Sequence, residues 1–354
     1  MGFSHQGQKA GDNAQQIQAG TIIINNGISE ERVRAIFSEM QERAIQEYTQ
    51  DAYEKANERI QELEKALAPL VERNEENLSF FADPAFQIAL KKAQISAAKT
   101  DSKDDYDLLA ELLDEHIKFK NSRIDKVAVE KAIEVVSDID NNALCALTLV
   151  CAIMSYKPTS GSIKKGINII DNLYKKLTYM NLPEGKEWLY HLDISDVMRV
   201  SGFGTMKKYT DYIIECLDGY VCTGIDKNSG DYEKAIKILN DAKIHPSILV
   251  DHELMDNYVR LSVRSKYQID TFITEEYRKN SLKSIFDLYS KDNNILNNVK
   301  NEFVKYIMSF KNITLVQEWW DKIPSSFDIT RVGYILAQTN IQRIDAALPK
   351  LNLS

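Results

Sequence analysis

From residue 29 onward, apolar positions recur at spacings of three and four over most of the chain, a rhythm that predicts one helix after another. The first of these opens with a clear start. Ser29 can cap it, Glu30 and Glu31 sit in its first turn against the positive dipole end, and Ile28 can staple onto Val33. Its apolar face then runs Val33, Phe37, Met40, Ala44, Tyr48, Ala52, Ala56, Ile60, Leu63, Leu67 and Leu70. The spacing of four from Ala44 to Ile60 departs from a strict heptad, so the segment reads as a long amphipathic stalk rather than a regular coiled coil. Pro69 ends or kinks it.

Asp83-Pro84 opens a second helix through Ala98, with Asp as cap and Pro in the first turn. The charged stretch Thr100–Asp105 marks a candidate domain boundary. Further helices are expected near 105–119, 123–138, 141–155, 162–180, 184–200, 205–218, 231–242, 248–262, 270–290, 292–310 and 312–322. Thr330 then caps a last one to about Leu348. The uncharged run Ala143–Met154 is too short for a membrane span of about 20 residues and reads as a helix buried on all sides, with a membrane-inserting element as the alternative.

The first 20 residues are rich in Gln and Gly and lead into Thr21-Ile22-Ile23-Ile24, a β-branched strand signal closed by Asn26-Gly27. No second strand is expected after it. A lone strand leaves both edges unpaired and its isoleucines exposed, so the expected partners are further copies of the chain. The expected self-association surface is therefore Ile17, Ile22, Ile23 and Ile24 together with Val33, Phe37, Met40, Ile60, Leu63 and Leu67. This gives a mainly α fold in three parts: a leader (1–28), a helical stalk (29–100) and an all-helical globular domain (101–354).

Charge narrows the partners. The net charge of −8 opposes attraction to phosphate backbones and anionic lipid, so neither nucleic acid nor a membrane is the expected partner. The four cysteines, Cys145, Cys151, Cys216 and Cys222, form no C-x-x-C and stand near no histidine pair, as expected of reduced core thiols in the cytoplasm. The opening residues lack a signal-peptide pattern.

Several constellations could carry chemistry. His252-Glu253-Leu254-Met255-Asp256 begins like a zinc-protease motif but offers Asp256 where the second histidine belongs, and two ligands make no catalytic zinc site. His191-Leu192-Asp193 gathers an imidazole and a carboxylate, with helix capping as the plainer reading. Convergence of His191, Asp193, His252 and Asp256 would give a hydrolase or nuclease. Ser160–Lys165 and Gly202–Lys208 place small residues and lysines at helix starts, which suits an anion, though neither matches a P-loop and helix caps with solvated lysines explain them as well. Lys175, Lys176, Lys207 and Lys208 beside tyrosines would have to share one face to bind nucleic acid. Trp319-Trp320 beside Ile323 reads as a core plug. No cofactor or metal is expected.

The opening Gln8–Asn13 with Ile17-Gln18-Ala19-Gly20 resembles a leader found on several bacterial proteins ahead of a short strand and an effector or helical domain. Glu187–Asp193, Leu217–Tyr220, His252–Leu254 with Tyr258–Leu261, and Ile329–Ala337 are similar to an uncharacterised bacterial family of about this length. The resemblance implies a role in phage defence or stress response and supplies no catalytic residues. The reading that follows is a homo-oligomeric interaction, scaffold or sensor protein, not an enzyme.

Overall fold

The computed structural model describes residues 29–45, 49–72, 75–119 and 122–351. Among these the fold is mainly α. The leader strand, with Ile17, Ile22, Ile23 and Ile24, lies outside the described residues.

α1 (Glu30–Ile45) starts as its caps dictate: Ser29 Oγ accepts from Arg32 N at 3.2 Å, and Arg34 pairs with Glu30 at 2.8 Å. The expected single stalk is two helices. α2 (Gln50–Glu72) begins after a non-helical Thr49 and folds back, so that Gln41 on α1 hydrogen-bonds Asn57 on α2. Pro69 falls in the last turn of α2. An amphipathic face needs an apolar neighbour, and here the neighbour is the chain itself: Val33, Phe37, Met40, Ile60, Leu63 and Leu67 are all buried in its own core.

α3 (Pro84–Lys99) has the expected Asp83 cap, with Ala85 N donating to Asp83 Oδ1 at 2.9 Å. α4 (Lys103–Lys118) follows after a tight turn in which Thr100 Oγ1 donates to Asp105 Oδ2 at 2.5 Å. One core runs across this expected boundary, from Val33 to Ile341. α5 (Arg123–Val135) precedes α6 (Asn141–Ser155), whose residues Ala143–Ile153 are all buried, as expected. No helix of the described residues is long and apolar enough to cross a membrane. α7 (Ile163–Leu177) and α8 (Glu187–Ile194) come next, then β1 (Met198–Val200), where helix was expected, and α9 (Tyr209–Cys216).

A small lobe with its own core is then inserted. It comprises β2 (Ile225–Asp226), α10 (Gly230–Asp241), β3 (Leu249–Asp251), β4 (Tyr258–Leu261), α11 (Lys266–Phe272) and α12 (Glu276–Asp287), with its three strands antiparallel in the order β2-β4-β3. The expected helix 248–262 is thus a β-hairpin. Its β-branched and aromatic arms are closed through Asn257, which takes a left-handed φ of 63°. The expected helix 270–290 is broken in two at Ile273–Glu275.

The chain returns to the body through α13 (Asn293–Met308) and α14 (Lys311–Trp320). β5 (Phe327–Ile329) pairs antiparallel with β1, so strands beyond the leader do exist. α15 (Arg331–Ile344) then runs through the middle of the body, packed on α4, α5 and α6. Thr330 caps it as expected, accepting from Gly333 N at 3.1 Å while donating to Asp196 O at 2.7 Å. Gly333 has to be glycine, because a Cβ there would lie 2.1 Å from Val197 O.

Candidate functional site

A buried polar cluster sits where the small lobe meets the body. Arg260 on β4 has no solvent exposure. Its Nη2 donates to Glu253 Oε2 at 2.9 Å and to Gly161 O at 2.7 Å, its Nη1 donates to Leu261 O at 3.1 Å, and its guanidinium stands 5.4 Å from the centre of the Tyr220 ring. Glu253, in the hairpin connection, reaches across to the start of α7. There it accepts from Ile163 N at 2.6 Å, Ser162 Oγ at 2.8 Å and Lys164 N at 3.3 Å. Gly161 permits this approach, since a Cβ there would collide with Ser262 at 2.1 Å. Tyr220 OH to Ser160 O (2.5 Å) and Gln268 Nε2 to Thr159 O (2.8 Å) complete the seam.

The helix start at Ser160–Lys165, read as suited to an anion or as a plain cap, is thus met by a carboxylate of the chain itself. Burial raises the Glu253 carboxyl, but the bonds from Ile163, Ser162, Lys164 and Arg260 outweigh it and hold it below the usual carboxylate range. The second expected anion loop is filled in the same way: Tyr209 N donates to Asp321 Oδ1 at 2.8 Å, and Lys208 Nζ to Asp321 O at 3.0 Å. A third case is α14, whose Asn312 N and Ile313 N both donate to Asp171 Oδ1. A helix N-terminus favours negative charge. In this fold distant carboxylates supply it and tie elements together.

His252 was expected on a helix face with Asp256. It lies instead at the end of the hairpin arm, buried, with Nε2 donating to Cys222 O at 2.8 Å and Nδ1 accepting from Leu254 N at 3.2 Å. That pair of bonds fixes the neutral tautomer. Burial is the largest cause that pushes its pKa down, to about 4. Burial pushes His116 down as well. The unfolded chain therefore binds more protons than the folded one between pH 6.5 and about 4, and stability falls as pH falls through that window. We expect His252 alone to account for roughly 3 kcal/mol of this loss. Urea midpoints at pH 7 and pH 4.5 read it, and His252→Gln should flatten the difference.

The remaining candidates are held by separate neighbours. His191 on α8 accepts from Asp140 N at 3.0 Å, Asp193 faces Arg199 at 3.5 Å, and Asp256 is exposed in the hairpin connection. No hydrogen bond among the described residues joins the His191–Asp193 pair to His252 or Asp256. Lys176 pairs with Asp345 at 2.6 Å and Lys207 with Glu215 at 2.7 Å, while Lys175 is exposed on α7. Trp319 and Trp320 are buried, as expected of a core plug. Cys145, Cys151 and Cys222 are buried free thiols, and burial pushes Cys151 and Cys222 up to about 12. Among the described residues no group of three or more His, Cys, Asp or Glu could hold a metal ion.

Sequence reasoning missed two features. Arg260 was visible only as part of a short motif; the signal that could have found it is a lone arginine inside the apolar strand Tyr258–Leu261, which must find a carboxylate once buried. The second is an aromatic display on the small lobe, where Tyr267, Phe272 and Tyr277 are 71%, 59% and 63% exposed.

No curated protein and no solved structure matches the chain. A family model whose description reads only ":-like" matches it from residue 27 to residue 354, so most of the leader precedes the matched span. With nearly its whole length covered, the chain belongs to the family that this model describes.

Proposed function

We propose that the protein is a homo-oligomeric interaction scaffold or sensor of the bacterial cytosol, assembled by its leader, with the small lobe as the surface that meets a partner protein. One observation carries the assembly half. The helical residues that could have zipped copies together are buried in the chain's own core, so the reading rests on Ile17, Ile22, Ile23 and Ile24, whose strand pattern with unpaired edges suits copy-to-copy pairing. The exposed aromatics Tyr267, Phe272 and Tyr277 support the partner half, because aromatic side chains are enriched in the cores of protein interfaces. Antiviral defence or stress response is the proposed setting, on the leader's resemblance alone.

The test is solution mass by light scattering. The intact chain is expected to be a defined oligomer at micromolar concentration, and the chain lacking residues 1–28 a monomer. Equal masses would end the reading.

A further inference from the structure

α3 and α5 lie side by side and run in the same direction. Lys92 pairs with Glu130 at 2.6 Å, Ser137 N donates to Ser96 Oγ at 3.3 Å, and Lys99 pairs with Asp138 at 3.3 Å, so the contacts advance together along both helices. One turn back from Lys92 and Glu130 brings Ile88 level with Val127, with Ile124 a further turn back on α5. All three are solvent-facing, at 54%, 52% and 74% exposure. They form an apolar face at the N-terminal end of this helix pair, with nothing described covering it.

The leader enters the body at the same end. α2 is antiparallel to α1, and α3 is antiparallel to α2, with Arg59 Nη1 donating to Ala98 O at 2.9 Å, so α1 and α3 run the same way. Gln94 Nε2 meets Phe37 O at 3.2 Å. Counting back along both helices from that contact places Ser29 beside the first turns of α3, where Ile88 lies. The run Thr21–Ile24 ends five residues before Ser29. Extended chain gives these residues a reach of about 17 to 26 Å, against a helix diameter of about 10–12 Å.

We infer that Thr21–Ile24 of the same chain docks on the face formed by Ile88, Ile124 and Val127, so that the leader is parked on its own body until assembly draws it off. The docking follows from reach and from the match of an isoleucine run to an apolar face. The release step alone rests on the assembly proposed above.

The experiment places the photocrosslinker p-benzoylphenylalanine at position 23 of the full chain, with isotope-labelled and unlabelled copies mixed and then diluted to the nanomolar range, below the micromolar concentration at which assembly is expected. The dominant adduct should join residue 23 to peptides spanning 84–91 or 122–130 of the same copy. In the double variant Ile124→Lys, Val127→Lys it should fall by at least about fivefold, because a charge now faces the isoleucines. The thermal midpoint should hold, since both positions are exposed. Adducts that run between copies, that ignore the double variant, or that favour no site overturn the docking. If copy-to-copy adducts accompany a mass that drops on truncation, docking fails and assembly stands. If within-copy adducts accompany an intact chain that is monomeric, assembly fails and docking stands.

Discussion

Glu253→Ala should cost the folded protein about 3–5 kcal/mol, because it strands a buried arginine charge without its partner. Arg260 has no route to solvent, and three donors at the start of α7 lose their acceptor in the same step. The loss should appear as a lower urea midpoint. Glu253→Gln, which keeps an oxygen near α7, should lose less. The double variant Glu253→Ala, Arg260→Met should recover part of the loss, because a buried ion pair replaced as a unit by apolar groups is often neutral. If Glu253→Ala proves as stable as the parent, the seam between lobe and body does not depend on this pair.

Trp320→Ala should be comparably severe, about 3–5 kcal/mol for an aromatic core side chain. Trp320 is 1% exposed, its ring stacks on Tyr212 with centres 5.7 Å apart, and its Nε1 donates to Lys207 O at 2.8 Å. Truncation opens a cavity and also orphans a carbonyl. Trp320→Phe keeps much of the volume and should lose distinctly less, read by the same denaturation midpoints.

How much of this was legible in the sequence depended on whether the deciding signal was local. Asp83-Pro84 and Thr330 were read as caps and act as caps; the helix after Asp83 was placed to within a residue, while the one after Thr330 ends at Ile344, short of the expected Leu348. Ala143–Met154 carried enough consecutive apolar residues to declare burial on every side, and Ala143–Ile153 are buried while Met154 is exposed. The hairpin at 249–261 was misread because strands of three and four residues are shorter than a helical window, and the polar stretch His252–Asn257 mimicked a helix surface.

The stalk failed for a different reason. Periodicity at Val33, Phe37, Ile60 and Leu63 says that a face is buried and is silent on what buries it. The anion loops show the same limit: small residues and lysines at 160–165 correctly marked a helix start that attracts negative charge. That the charge is Glu253, some ninety residues on, is a fact of tertiary structure.

The assembly claim is tested most directly by light scattering on the full chain carrying Ile22→Lys, Ile23→Lys and Ile24→Lys, beside the parent. These substitutions leave every described residue unchanged, so the body's fold is its own control by circular dichroism. The account predicts a parent oligomer and a monomeric triple variant with the same helical signal. An unchanged oligomer in the triple variant, or a monomeric parent at micromolar concentration, would contradict it.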